Sequence, residues 1–117
     1  MSIKKPSETD LVKACLELLK LRGVMAWRNN TGSAMRGGRQ IRFGYKGSSD
    51  IIGIMPLNSS MPGSFLAVEC KTDKGKLRRE QKLFLEAIRE AGGYAVVTSD
   101  VRVLDMLLRP RLQPSQT

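Results

Sequence analysis

Asp50-Ile51-Ile52-Gly53-Ile54-Met55 and, after a short connection, Phe65-Leu66-Ala67-Val68-Glu69-Cys70-Lys71 carry the decisive pattern of this chain. The first is a nearly continuous apolar run, the pattern of a strand covered on both faces. The second alternates, with Leu66, Val68 and Cys70 on one side and Phe65, Ala67, Glu69 and Lys71 on the other. Glu69 and Lys71 then share a face, roughly 6 to 7 Å apart along the chain. If the two strands are neighbours, Asp50 joins them. Two convergent carboxylates with the Cys70 carbonyl between them make an all-oxygen site suited to Mg2+ or Mn2+. Lys71 beside such an ion can orient or deprotonate a water and stabilise charge on a phosphate. The same spacing also fits plain exposed strand charges at Glu69 and Lys71 with a turn residue at Asp50, and the residues alone leave both readings open.

Outward from this pair, the N-terminal side predicts a helix starting near Ser7, where Ser7 and Asp10 form the Asp version of a capping box. Leu11, Val12, Cys15, Leu18, Leu19 and Arg22 follow at spacings of three and four, and Gly23 supplies the stop. Val24 to Trp27 reads as a short strand. Arg28 to Gly47 is rich in Gly, Arg and Ser and reads as a long loop or hairpin, with Ile41 to Tyr45 as its strand-like part. On the C-terminal side, Pro56 to Gly63 is a surface connection and Thr72 to Lys76 a turn. Leu77, Gln81, Phe84, Leu85 and Ile88 mark an amphipathic helix ending at Gly92-Gly93. Tyr94 to Val97 reads as a strand and Val101 to Leu108 as a last helix. The expected fold class is α/β, a small mixed β-sheet flanked by helices, in one domain over residues 1–109 with a disordered tail at 110–117.

Of the 117 residues, 41% are hydrophobic, enough for an ordinary core in one small domain. No window approaches the ~18 consecutive apolar residues of a membrane span, and Met1 to Thr9 lacks the apolar stretch of a secretion signal, so a soluble, cytoplasmic protein without a membrane partner is expected. There is no His, which excludes His-based general bases, Ser-His-Asp triads and His-zinc sites. Cys15 and Cys70 are too few for a zinc tetrad and lie in apolar patterns, as reduced core residues do.

Lys plus Arg number 20 against 11 Asp plus Glu, a formal charge of +9, which points to a polyanionic partner. Between Glu17 and Asp50 there is no acidic residue, while Lys20, Arg22, Arg28, Arg36, Arg39, Arg42 and Lys46 fall there. A second block, Lys71, Lys74, Lys76, Arg78, Arg79 and Lys82, is interrupted by Asp73 and Glu80. Either block can be a solvated face, and either can bind phosphates.

Two polar residues lie on apolar stripes: Glu8 with Leu11, Val12 and Cys15, and Gln81 with Leu77, Phe84, Leu85 and Ile88. A shared polar site would satisfy both, Glu8 reaching a metal or its waters and Gln81 holding Lys71 or a phosphate. Equally, Glu8 can serve the helix dipole from the first turn and Gln81 can sit at a stripe edge.

Gly47-Ser48-Ser49-Asp50, then Val68-Glu69-Cys70-Lys71, then Glu80-Gln81 before Phe84, resemble the virus-type replication-repair nuclease (VRR-NUC) domain of the PD-(D/E)xK superfamily. The resemblance extends to Glu8, to Trp27-Arg28-Asn29-Asn30-Thr31-Gly32, to Arg42-Phe43-Gly44 and to Ala91-Gly92-Gly93, and covers about Ser7 to Val97. It implies a restriction-endonuclease-like core of the stand-alone phage or bacterial type. It further implies Mg2+- or Mn2+-dependent phosphodiester hydrolysis, with Asp50, Glu69, the Cys70 carbonyl and Glu8 at the metal, Lys71 as the catalytic lysine and Gln81 in support. Stand-alone members are similar to resolvases that act as homodimers on branched DNA such as four-way (Holliday) junctions. In such a protein Arg28, Asn29, Asn30, Arg36, Arg39, Arg42, Lys46, Lys74, Lys76 and Arg78 are expected to contact DNA. Leu77-Arg78-Arg79 departs from the family pattern, in which a capping Ser and often Pro precede the Glu-Gln pair. The rival reading is a non-catalytic nucleic-acid-binding protein whose carboxylates are structural.

Overall fold

The computed structural model describes residues 7–56, 63–72 and 75–112. The elements run α1 (Glu8–Leu21), β1 (Met25–Arg28), β2 (Gly32–Arg36), β3 (Arg39–Phe43), β4 (Ile51–Met55), β5 (Ser64–Cys70), α2 (Arg79–Glu90), β6 (Tyr94–Thr98) and α3 (Val101–Leu112). A four-stranded sheet has the order β1-β4-β5-β6, and β2 and β3 form a separate two-stranded ribbon. β1 and β4, and β4 and β5, pair antiparallel, whereas β6 runs parallel to β5 after the α2 crossover.

Ser7 caps α1 as its sequence demands: its hydroxyl accepts the Asp10 amide at 3.1 Å, and the Asp10 carboxylate accepts the Ser7 amide at 3.1 Å. The stripe Leu11, Val12, Cys15 and Leu19 then buries itself against one face of the sheet, where Ile51, Met55, Leu66, Val68, Cys70 and Val96 meet it. α3 covers the same face with Leu104 and Leu108. Its first turn is capped by Asp100, whose carboxylate accepts the Arg102 amide at 2.7 Å. The opposite face is covered by α2, with Leu85 packed on Ala67 and Ala95 and bordered by Phe84, Ile88 and Leu77.

Several boundaries and one burial pattern differ from expectation. β4 is covered fully on one face only: Ile51 and Met55 are buried, but Ile52 is half-buried and Ile54 exposed. The α2 cluster sits over β5 and β6 and leaves β1 and β4 open, a placement that apolar content does not encode. Gly32–Arg36 is a full strand opposite Arg39–Phe43, although it lacks β-branched residues. The register comes from Gly37-Gly38, both at positive φ (55° and 77°), which suits a two-residue hairpin turn. Leu77 precedes α2 yet still packs beneath it. α3 continues through Pro110 to Leu112, past the expected start of the tail, because Leu104, Leu108 and Leu112 recur every fourth residue on the core side. Residues 113–117 of that tail, like Asp73 and Lys74 of the expected turn and 57–62 of the surface connection, lie outside the described residues. No described helix is long and apolar enough to cross a membrane.

Candidate active site

The antiparallel register sets Ile51 opposite Val68, so Asp50, one residue before β4, falls beside the end of β5. There its Oδ2 accepts the Cys70 amide at 2.9 Å. Asp50 is held from a second side by Asn29, whose amide donates to the Asp50 carbonyl at 2.7 Å. The Asn29 side-chain Nδ2 donates to Ser48 Oγ at 2.7 Å and to the Ser49 carbonyl at 3.0 Å, so both ends of the Arg28–Gly47 excursion are stapled to the backbone beside Asp50. Gly47, at φ +83°, lets the incoming chain lie on the start of α2: a Cβ there would collide with the Glu80 carbonyl.

Glu69 lies on the α2 face of β5 and is only 1% exposed. Its Oε1 accepts Gln81 Nε2 at 3.0 Å and lies 3.8 Å from Lys71 Nζ. Its Oε2 is buried and receives no hydrogen bond from the described residues. Burial first, and then the neighbouring Asp50 charge, push this carboxyl up to about 8; Lys71 pulls it down, while hydrogen bonding with the Asp50 carboxyl and the Glu8 charge add weaker upward pushes. Lys71 is anchored by its own amide, which donates to the Thr98 carbonyl at 3.0 Å.

Gln81 therefore holds Glu69, where Lys71 or a phosphate was expected. It sits at the third helical position of α2, and its Oε1 accepts the Arg78 amide at 2.9 Å. An Arg side chain cannot accept the first-turn amides, so this half of a capping box marks the helix start that the missing Ser and Pro left unmarked. Glu8 is exposed, not buried on the apolar stripe. It stands in the first turn, before the stripe begins at Leu11, and reaches the cluster through its charge.

Asp50 and Glu69 supply hard oxygen donors with one unpartnered buried carboxylate oxygen, the donor chemistry that a divalent cation takes. Among the described residues no group of three or more His, Cys, Asp or Glu is gathered for a metal, so the set is these two carboxylates, and Glu8 is not part of a closed cluster. The Cys70 side chain points to the other face, fully buried and hydrogen-bonded to Cys15; this bond and burial push its thiol strongly up. Only its backbone is left for the site.

Arg28, Asn30, Arg36, Arg39, Arg42, Lys46, Lys76 and Arg78 are all exposed, with Arg78 Nε 3.8 Å from Glu80 Oε1. Asn29 is half-buried and its Nδ2 is committed to the staple. Lys74 lies outside the described residues. The sequence marks Ser48 and Ser49 as part of the family motif but not as partners of Asn29, and it does not mark Thr98; the buried Ser49 Oγ is also without a partner among the described residues. Asn29 and Ser48 stand 19 residues apart, a separation that carries no periodic signal.

The model of the VRR-NUC domain family matches residues 7–102, most of the chain. No curated protein and no solved structure gives a match. With its mixed sheet, flanking helices and carboxylate pair, the chain belongs to the VRR-NUC family, which has the PD-(D/E)xK-type fold of nucleases acting on DNA.

Proposed function

We propose that this nuclease is a divalent-metal-dependent, structure-specific DNA endonuclease that resolves branched DNA such as four-way junctions as a homodimer. The observation that carries the metal-dependent reading is the buried, unpartnered Glu69 Oε2 beside Asp50, with Lys71 Nζ 3.8 Å from the other Glu69 oxygen. Asp50, Glu69 and the Cys70 carbonyl would hold Mg2+ or Mn2+, with Glu8 reaching its waters. Such an ion supplies an activated water and neutralises the non-bridging phosphate oxygens. Lys71 stabilises charge developing on the phosphate and orients the attacking water for in-line displacement. Gln81 fixes the Glu69 rotamer so that one oxygen stays aimed at the site.

The homodimer is supported by a half of the sheet that no described helix covers on its α2 side. Met25, Ile54 and Phe65 lie in one cross-strand row and Trp27 and Ile52 in the next, on the face that α2 leaves open. Met25 is 65% exposed, Trp27 and Ile54 47% and Phe65 43%, an apolar patch of the kind that marks an interface. Two copies joined there would present two sites to the two symmetry-related strands of a junction.

The test compares the protein with Glu69→Ala on labelled linear, flapped and four-way-junction DNA, with Mg2+, Mn2+ or EDTA. Metal-dependent paired cuts in the junction, lost in the variant while DNA binding survives, are expected. Binding without any cleavage would favour a non-catalytic DNA-binding protein.

A further inference from the structure

Packing against the body of the protein explains the foot of the β2–β3 ribbon, where the Tyr45 and Phe84 ring centroids lie 5.7 Å apart, but not the ribbon itself. Every residue from Asn30 to Lys46 is exposed, and among the described residues the ribbon is hydrogen-bonded as a sheet only to itself. A lone two-stranded hairpin is marginally stable in water. Its turn makes matters worse: Gly37-Gly38 bring Arg36 directly opposite Arg39, a like-charge pair that destabilises the ribbon end. No acidic residue between Glu17 and Asp50 compensates them. The register further puts Arg36 and Arg39 on the same face as Ala34 and Ile41, with Ser33, Arg42, Met35 and Gln40 on the other. Both ends of this ribbon are stapled at Asp50 through Asn29, Ser48 and Ser49.

We propose that the β2–β3 ribbon is a groove-reading arm that enters the major groove of the duplex flanking the scissile phosphate, with Arg36 and Arg39 at its tip donating to base-edge acceptors. This rests on the reading of the protein as a DNA nuclease and adds how its substrate is held. Charge complementarity selects the occupant, because a polyanion relieves the Arg36–Arg39 repulsion and a second copy of the same arginine-tipped ribbon increases it. Size agrees: the four steps from Gly32 to Arg36 span about 13 Å and two strands lie about 5 Å apart, dimensions that fit a groove about 12 Å wide and 8.5 Å deep. Because the stem is fixed at Asp50, groove contact and cleavage position are coupled through the Asn29 staple.

The experiment uses the full chain carrying Glu69→Gln, so that DNA stays intact, and compares it with the same protein carrying Arg36→Gln and Arg39→Gln. Dimethyl sulfate, which modifies guanine N7 in the major groove, probes a duplex arm of the junction. Protection of N7 is expected within about one helical turn of the cut, and is lost in the arginine variant, whose melting temperature does not fall because two repelling charges have gone. The slope of log K against log salt should also shallow, by up to about 2 if both tip charges displace counterions. Absence of N7 protection in the parent protein overturns the proposal. So does a variant that keeps the protection, or one that loses it together with dimerisation in sedimentation, which would make the ribbon a subunit arm. Failure of the nuclease reading is separate: it shows as wild-type protein that protects N7 but never cuts.

Discussion

Gln81 bonds Glu69 and the start of its own helix with one side chain: Nε2 donates to Glu69 Oε1 at 3.0 Å while Oε1 accepts the Arg78 amide at 2.9 Å. Helix α2 and strand β5 are therefore locked at the carboxylate that the proposed chemistry uses. The amide dipole is oriented by both bonds at once, so the donor end cannot flip away from Glu69 without orphaning the Arg78 amide.

Gln81→Ala should lower stability by about 1–3 kcal/mol, since a buried carboxylate loses its donor and a helix amide its acceptor. It should reduce cleavage or metal affinity by about 10- to 100-fold, the usual effect of removing a ligand's hydrogen-bonded support. Calorimetric titration with Mn2+ and denaturant unfolding measure the two effects separately. Wild-type metal affinity in the variant would remove Gln81 from the positioning role.

Glu69→Gln should raise the melting temperature in EDTA while abolishing cleavage. The carboxylate is buried next to Asp50, and exchanging it for an amide removes the desolvation and repulsion yet keeps an oxygen for Gln81. Lys71 loses its partner in exchange, at a site where its side chain is partly open to solvent. Thermal scans of both proteins in EDTA check this; a lower melting temperature for the variant would mean that the charge stabilises the fold.

Ile54→Arg should convert the proposed dimer to monomer without unfolding the protein, because Ile54 is already half open to solvent on the uncovered sheet face. Sedimentation velocity of wild type and variant reads the outcome directly. A wild-type monomer at micromolar concentration, or a variant that stays dimeric, would take the interface away from this face.

Asp105 clamps α1 to α3: Arg22 Nε and Nη2 donate to its two oxygens at 2.9 and 3.0 Å, and Arg109 Nη2 donates at 3.2 Å. The Arg22 hydrogen bonds lead in holding this carboxyl below its ordinary value, and Arg102 does the same for Asp100, down to about 2. Depressed carboxyl values mean that the unfolded chain binds more protons, so the stability these pairs give is present above about pH 4 and is lost as pH falls through the folded values. Wild-type melting temperature should drop more steeply than that of Asp105→Asn between pH 5 and pH 2. Parallel curves would show that the clamp contributes nothing.

Periodic patterns in the chain announced most of the scaffold. Ser7 and Asp10 mark the first helix, the alternation through Leu66, Val68 and Cys70 marks the core strand, and Gly92 marks the end of α2, because capping, pleat and turn geometry are local. The grouping of Asp50, Glu69, Lys71 and Gln81 was legible as an ordered motif. Its wiring was not, since the donor that Gln81 offers and the acceptor it finds depend on how α2 lands on β5.

Local chemistry thus specified the helices, the strands of the main sheet and the residue types of the site, each within a few residues of the chain, but not the strand Gly32–Arg36. Packing settled what no local pattern contains: that α2 shelters β5 and β6 but leaves Met25, Trp27, Ile54 and Phe65 open, that Glu8 stays in solvent, and that Asn29 staples the ribbon to Asp50. These are contacts between segments distant in sequence, and their existence depends on which apolar faces meet when the core closes.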